Sequence, residues 1–88
     1  MKWKKLSSFS HEVRAWQTRV DSRRYTIYEI SPRDGDLYVL DVFPSAWGYE
    51  VFVDRDGNET DVRTSRASFQ SKAEAVRAAR KHAQRSSR

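Results

Sequence analysis

From Phe9 the apolar residues Phe9, Val13, Trp16 and Val20 recur at i, i+4, i+7 and i+11, the spacing of one helical face, with Ser10 placed to cap its start. The pattern predicts a short first helix, with a strand as the competing reading because Val13 and Ala15 also alternate with charged neighbours. The period then changes to two. Residues 24–30 are dense in aromatic and β-branched side chains and end at Ser31 and Pro32, where proline lacks the amide hydrogen that a ladder needs, so a strand is expected. Residues 32–36 hold a proline and Gly35 where a tight reversal wants them, and residues 37–43 resume strand composition until Pro44, completing a hairpin. After a turn at residues 45–48, residues 49–54 alternate again. Asp56, Gly57 and Asn58 then turn the chain into a weaker strand over residues 60–64.

The clearest local signal is Ser71 followed three residues later by Glu74, a capping box in which each side chain serves an amide that the helix start leaves unpaired. It predicts a helix over residues 72–85. Ala75, Val76, Ala79 and Ala83 gather on one side, and Arg77, Lys81 and Arg85 on the other. The expected fold is therefore α+β: an antiparallel sheet of three to four strands, a C-terminal helix packed on it and a short N-terminal helix. One domain over residues 9–85 is flanked by a flexible basic arm, residues 1–8, and a flexible tail, residues 86–88. The expected core is Trp16, Tyr25 or Ile27, Val39, Val51, Val53, Phe69 and Val76, with Phe43 and Phe52 also inside, while Trp3 and Trp47 are expected to make outward contacts.

Composition narrows the classes. Eighty-eight residues, 38% hydrophobic, suffice for one core. With no cysteine, a disulfide framework, a thiolate zinc site and thiol catalysis are excluded, which suits a cytoplasmic chain. The basic start runs into His11, Glu12 and Arg14 where a signal peptide needs an apolar stretch, and no run of about 18 apolar residues occurs, so no membrane partner is expected. The net charge of +5 hides a segregation: residues 1–24 carry net +5, residues 25–62 net −7 and residues 63–88 net +7. Such a layout bears on partners rather than on fold.

Catalytic and cofactor chemistry finds little support. His11 and His82 lie in the two helical segments, without a glycine-flanked serine, a metal-spaced cluster or a phosphate loop, so no catalytic residue, metal or cofactor is expected. His82 borders the alanine face, where packing against the sheet is the expected role. The carboxylates of residues 54–61 alternate as in a calcium loop, but Gly57 and Ser65 stand at the wrong positions for one, and a hairpin turn accounts for them. Arg77, Arg80, Lys81 and Arg85, with Arg63, Arg66 and Lys72 nearby, could instead track phosphates by releasing condensed counterions. Lys2, Lys4 and Lys5 around Trp3 form a second basic patch.

Residues 48–80 are similar in layout to the small arm-type DNA-binding domains of phage integrases, which pair two or three strands, a turn such as Arg-Asp-Gly and an aromatic-Ser-Lys-x-Glu-Ala entry into a packing helix. Phe69, Ser71, Lys72, Glu74 and Ala75 fit that entry, and Tyr49, Val51 and Val53 fit the first strand. The same ending occurs in many small uncharacterised phage and bacterial proteins. The resemblance implies a phage-encoded binding accessory. It departs from the family where the groove-entering sheet face should be basic, since Glu50, Asp54, Asp56, Glu59 and Asp61 stand there against Arg55 and Arg63, which moves the expected contact to the helix and the N-terminal arm and leaves only Arg63 and Arg66 as candidate sheet contacts.

The expectation is a non-enzymatic module that contacts nucleic acid through Arg63, Arg66, Lys72, Arg77, Arg80, Lys81, Arg85, Lys2, Lys4 and Lys5. The alternative is a modulator that docks on a basic protein through its acidic hairpins around residues 34–41 and 54–61, with Trp47 between them and Trp47, Asp54 and Asp56 as contacts. A homodimer formed at a sheet edge near Val39 or Val51 is a further expectation.

Overall fold

The computed structural model describes residues 1–6, 14–30 and 37–86. Among these the chain forms six strands in one antiparallel meander, β1 (Lys4–Lys5), β2 (Ala15–Val20), β3 (Arg23–Ile30), β4 (Leu37–Phe43), β5 (Val51–Val53) and β6 (Glu59–Thr60), each beside its neighbours in sequence. One helix, α1 (Lys72–Ser86), packs across one face. The fold is α+β as expected, with six strands where three to four were expected.

The N-terminal segment accounts for the two extra strands. Residues 15–20, expected in a helix, form β2, with Trp16, Thr18 and Val20 opposite Ile27, Tyr25 and Arg23 of β3. Pairing with β3 overrides the helical spacing, and Asp21 (φ 57°) makes the tight turn between them, a backbone conformation that aspartate tolerates better than most residues. Ser10 and the first half of the expected helix lie outside the described residues, as do His11 and the reversal at residues 32–36. Lys4 and Lys5 pair with Gln17 and Trp16 instead of forming a free arm, and Trp3 packs against the core rather than outward.

Register decides which side chains meet the helix. Tyr25 and Ile27 of β3, Leu40 and Val42 of β4 and Val51 and Val53 of β5 form one cluster with Phe69, Ala75, Ala78 and Ala79. The small alanine side chains let the α1 backbone approach the sheet, and each large apolar residue so buried contributes roughly 1.5–3 kcal/mol. Phe69 exchanges two backbone hydrogen bonds with Tyr38, both 2.8 Å, which anchors the chain to β4 just before α1 begins. Ser71 Oγ then accepts from the Glu74 amide (3.2 Å), and the Glu74 carboxylate accepts from the Gln70 amide (3.1 Å), one residue earlier than a standard capping box.

At its other end α1 is locked by polar contacts. Buried His82 shares one hydrogen bond with the Tyr25 hydroxyl (Nδ1, 2.7 Å) and another with Glu59 (Nε2, 2.6 Å), whose second oxygen accepts from the Ala46 amide (2.8 Å). Burial pushes the Tyr25 hydroxyl up to about 12. Val39 is buried too, but it stands on the sheet face away from α1 with Asp41 and Phe52. Phe43, expected inside, is 40% exposed. Val39 and Val51 flank no free edge: β4 and β5 are paired on both sides, and the edges are the short strands β1 and β6.

Candidate functional site

Two surfaces on opposite faces of the sheet carry the charged chemistry. The first is the solvent side of α1. Arg77, Arg80, Lys81 and Arg85 are exposed there, as expected from the helical projection. Among the described residues, Arg77 and Arg80 form no hydrogen bond or ion pair, whereas the other two reach the turn between β5 and β6: Lys81 Nζ donates to the Arg55 carbonyl (3.4 Å) and Arg85 to the Asn58 side chain (2.5 Å). Arg55, Arg77 and Lys81 line a cleft of about 190 Å³ with Phe69 and Glu74. Arg55 was missing from the sequence-based set because its place beside the helix depends on the fold of the turn.

The remaining expected cations distribute unevenly. Arg66 is ion-paired with Asp56. Lys72 lies at the start of α1 with its ammonium 4.4 Å from the centre of the Trp16 ring, a cation–π contact, and Lys5 is the strand partner of that same Trp16. The N-terminal and C-terminal basic segments therefore approach each other around one tryptophan. Lys4, paired with Gln17, falls on the other face, and exposed Lys2 precedes β1. Arg63 is not beside α1: it follows β6 and acts electrostatically on Tyr28, on the far face of the sheet.

That far face holds the second surface, a groove with two lobes. One, of about 420 Å³, is lined by Leu6, Gln17, Arg24, Thr26, Tyr28, Asp41 and Glu50. The other, about 220 Å³, shares Tyr28, Asp41 and Glu50 and adds Tyr49, Val51, Phe52 and Asp61. Asp41 is at the junction, 8% exposed, and among the described residues receives only a long hydrogen bond from the Tyr28 hydroxyl (3.4 Å). Burial first, and then the charge of Glu50, pushes its carboxyl up to about 7, against a lowering by the Tyr28 hydrogen bond. Burial and the neighbouring Asp41 in turn hold the Tyr28 hydroxyl above the usual tyrosine range. Arg24 faces Glu50 at 3.9 Å and the Phe43 ring at 5.3 Å. Beyond the second lobe Trp47, 54% exposed, stacks on Tyr49 with ring centres 6.1 Å apart.

The acidic residues named from the sequence separate here. Asp54 Oδ1 accepts from the amides of Asp56 (2.9 Å) and Asn58 (3.0 Å), so Asp54 shapes the turn, and Asp56 is taken by Arg66. Neither faces the groove, and Glu59 lies under α1 with His82. Only Glu50 and Asp61 of the five carboxylates expected on the sheet face line the groove. Tyr28 was not among the expected contacts, and Asp41 entered only as the end of the acidic hairpin over residues 34–41; the further signal available was one carboxylate inside an otherwise apolar strand. No family model matches the chain, and no curated protein or solved structure matches it. Among the described residues no helix is long and apolar enough to cross a membrane, and no cluster of side chains has the make-up to hold a metal ion.

Proposed function

We propose that this chain is a small non-enzymatic module that binds nucleic acid through the solvent side of α1. The observation that carries it is the pair Arg77 and Arg80, exposed and without an internal partner among the described residues, of which Arg77 lines a cleft with Lys81 and Arg55. Unpaired cations in a row release counterions from a phosphate backbone, while cations already engaged in ion pairs contribute less. The carboxylates on the far face repel phosphate, which favours contact through the helix rather than the sheet. Lys72 and Lys5, meeting at Trp16, extend the cationic surface beyond the first turn of α1.

Fluorescence anisotropy with labelled duplex DNA, single-stranded DNA and RNA tests this. About four phosphate contacts should weaken binding by about 100-fold between about 50 and 200 mM salt. Arg77→Glu combined with Arg80→Glu should lower the low-salt affinity at least tenfold and flatten the salt slope. Binding that ignores salt, or none at the lower salt, rejects the proposal. Binding untouched by the double reversal moves the interface away from α1.

A further inference from the structure

The second lobe of the far-face groove has an unusual lining: three carboxylates, Asp41, Glu50 and Asp61, three rings, Tyr28, Tyr49 and Phe52, and Val51, with no lysine or arginine among them. Asp41 is more than nine-tenths buried, and among the described residues no cation forms an ion pair with it. A buried carboxyl without a counter-charge is an expensive group to leave in a cavity wall, and a cation entering the lobe would supply what it lacks. The rings fit the same occupant, because the faces of tyrosine and phenylalanine attract ammonium and guanidinium groups. A neutral sugar would exploit the rings but bring no charge to the carboxylates, and a phosphate would be repelled by them.

We infer that this groove binds a basic peptide segment, seating one lysine or arginine side chain among Asp41, Glu50, Asp61 and the three rings. The wider lobe continues from the shared residues towards Gln17, Thr26 and Leu6, with room for the backbone that carries the inserted side chain. The stacked Trp47 and Tyr49 flank the other end as exposed apolar contacts. This inference is independent of the nucleic-acid proposal, since the groove and α1 occupy opposite faces of the sheet.

The test uses three capped pentapeptides, glycines around a central arginine, lysine or citrulline, titrated into the full chain and followed by amide chemical shifts. Citrulline keeps the shape of arginine without its charge. The arginine and lysine peptides should shift the amides of Asp41, Glu50 and Phe52, with the citrulline peptide at least tenfold weaker. The titratable and charged groups facing Asp41 are the neutral Tyr28 hydroxyl, Glu50 and Asp61, with Arg24 opposite Glu50 and Arg63 near Tyr28. As Asp41 ionises, affinity for the arginine peptide should rise about tenfold from about pH 6 to pH 8. Glu50→Gln, at an exposed position, should weaken binding without unfolding the chain, and Asp41→Asn should abolish the pH dependence. Arg77→Glu with Arg80→Glu should leave peptide binding unchanged. Equal binding of the citrulline peptide, shifts confined to α1, or no shift at about 5 mM peptide overturns the inference. So does binding of a neutral probe, cellotetraose, where the cationic peptides fail.

Discussion

Asp41 concentrates the tension between folding and function at one residue. Its neighbours in β4 are apolar, its side chain is almost fully enclosed, and its carboxyl is pushed up to about 7 by burial and by Glu50. In the unfolded chain the same carboxyl titrates near 4. Between about pH 4 and pH 7 the folded state therefore holds a proton that the unfolded state has lost, so stability declines as pH rises through that window. Above it the full cost of an ionised, unpaired carboxylate is present, on the order of 4 kcal/mol. Asp41→Asn keeps the shape and a donor or acceptor for Tyr28 but removes the charge. The variant should have the higher midpoint in urea at about pH 8, with the advantage shrinking to little near pH 4. Urea titrations across that range check it, and an advantage independent of pH would show that Asp41 is not the titrating group.

At the scale of elements, the turn between β5 and β6 and the last turns of α1 form one clamp. Gly57 sits in that turn with φ +80°, and a Cβ there would approach the Cβ of Lys81 to 2.7 Å and the backbone nitrogen of His82 to 3.0 Å. Two penalties coincide, a left-handed backbone and a collision with the helix, so Gly57→Ala should destabilise the fold by about 2–4 kcal/mol. Chemical denaturation measures that loss, and retained stability would mean that the turn is free to move off α1. The same elements show what the sequence could and could not disclose. β3, β4 and α1 were legible because their signals are local: a β-branched run ending at a proline, a second run bounded by Pro44, and a capping box at Ser71. β2 was misread as helix because Trp16 and Val20 fit a helical period as well as a strand face, and only pairing with β3 decides. The basic side of α1 followed from its projection, whereas the groove did not. It depends on register, which sets Asp41 opposite Phe52 and Thr26, and on the course of the chain after β6, which brings Asp61 alongside.

For the whole molecule, the exposed cations Arg77, Arg80, Lys81 and Arg85 stand on the solvent side of α1, and the carboxylates Asp41, Glu50 and Asp61 line the groove behind the sheet. The molecule measures 39 × 26 × 22 Å, so charges on opposite faces lie farther apart than the Debye length of about 8–10 Å near physiological salt. At short range the groove attracts cations, while at long range the net charge of +5 repels them. Added salt screens the long-range repulsion more effectively than the contact with a carboxylate as enclosed as that of Asp41. The two proposed partners should therefore respond to salt differently. Between about 50 and 200 mM, affinity for duplex DNA should fall about 100-fold, while affinity for the arginine peptide should change less than about threefold. Duplex bound to α1 also lowers the net positive charge, so the arginine peptide should associate with the DNA complex at least as tightly as with the free chain. Measuring peptide affinity at both salts, with and without saturating duplex, tests that independence. A parallel collapse with salt, or displacement of peptide by DNA, would mean that one surface serves both ligands and that the two faces do not act separately.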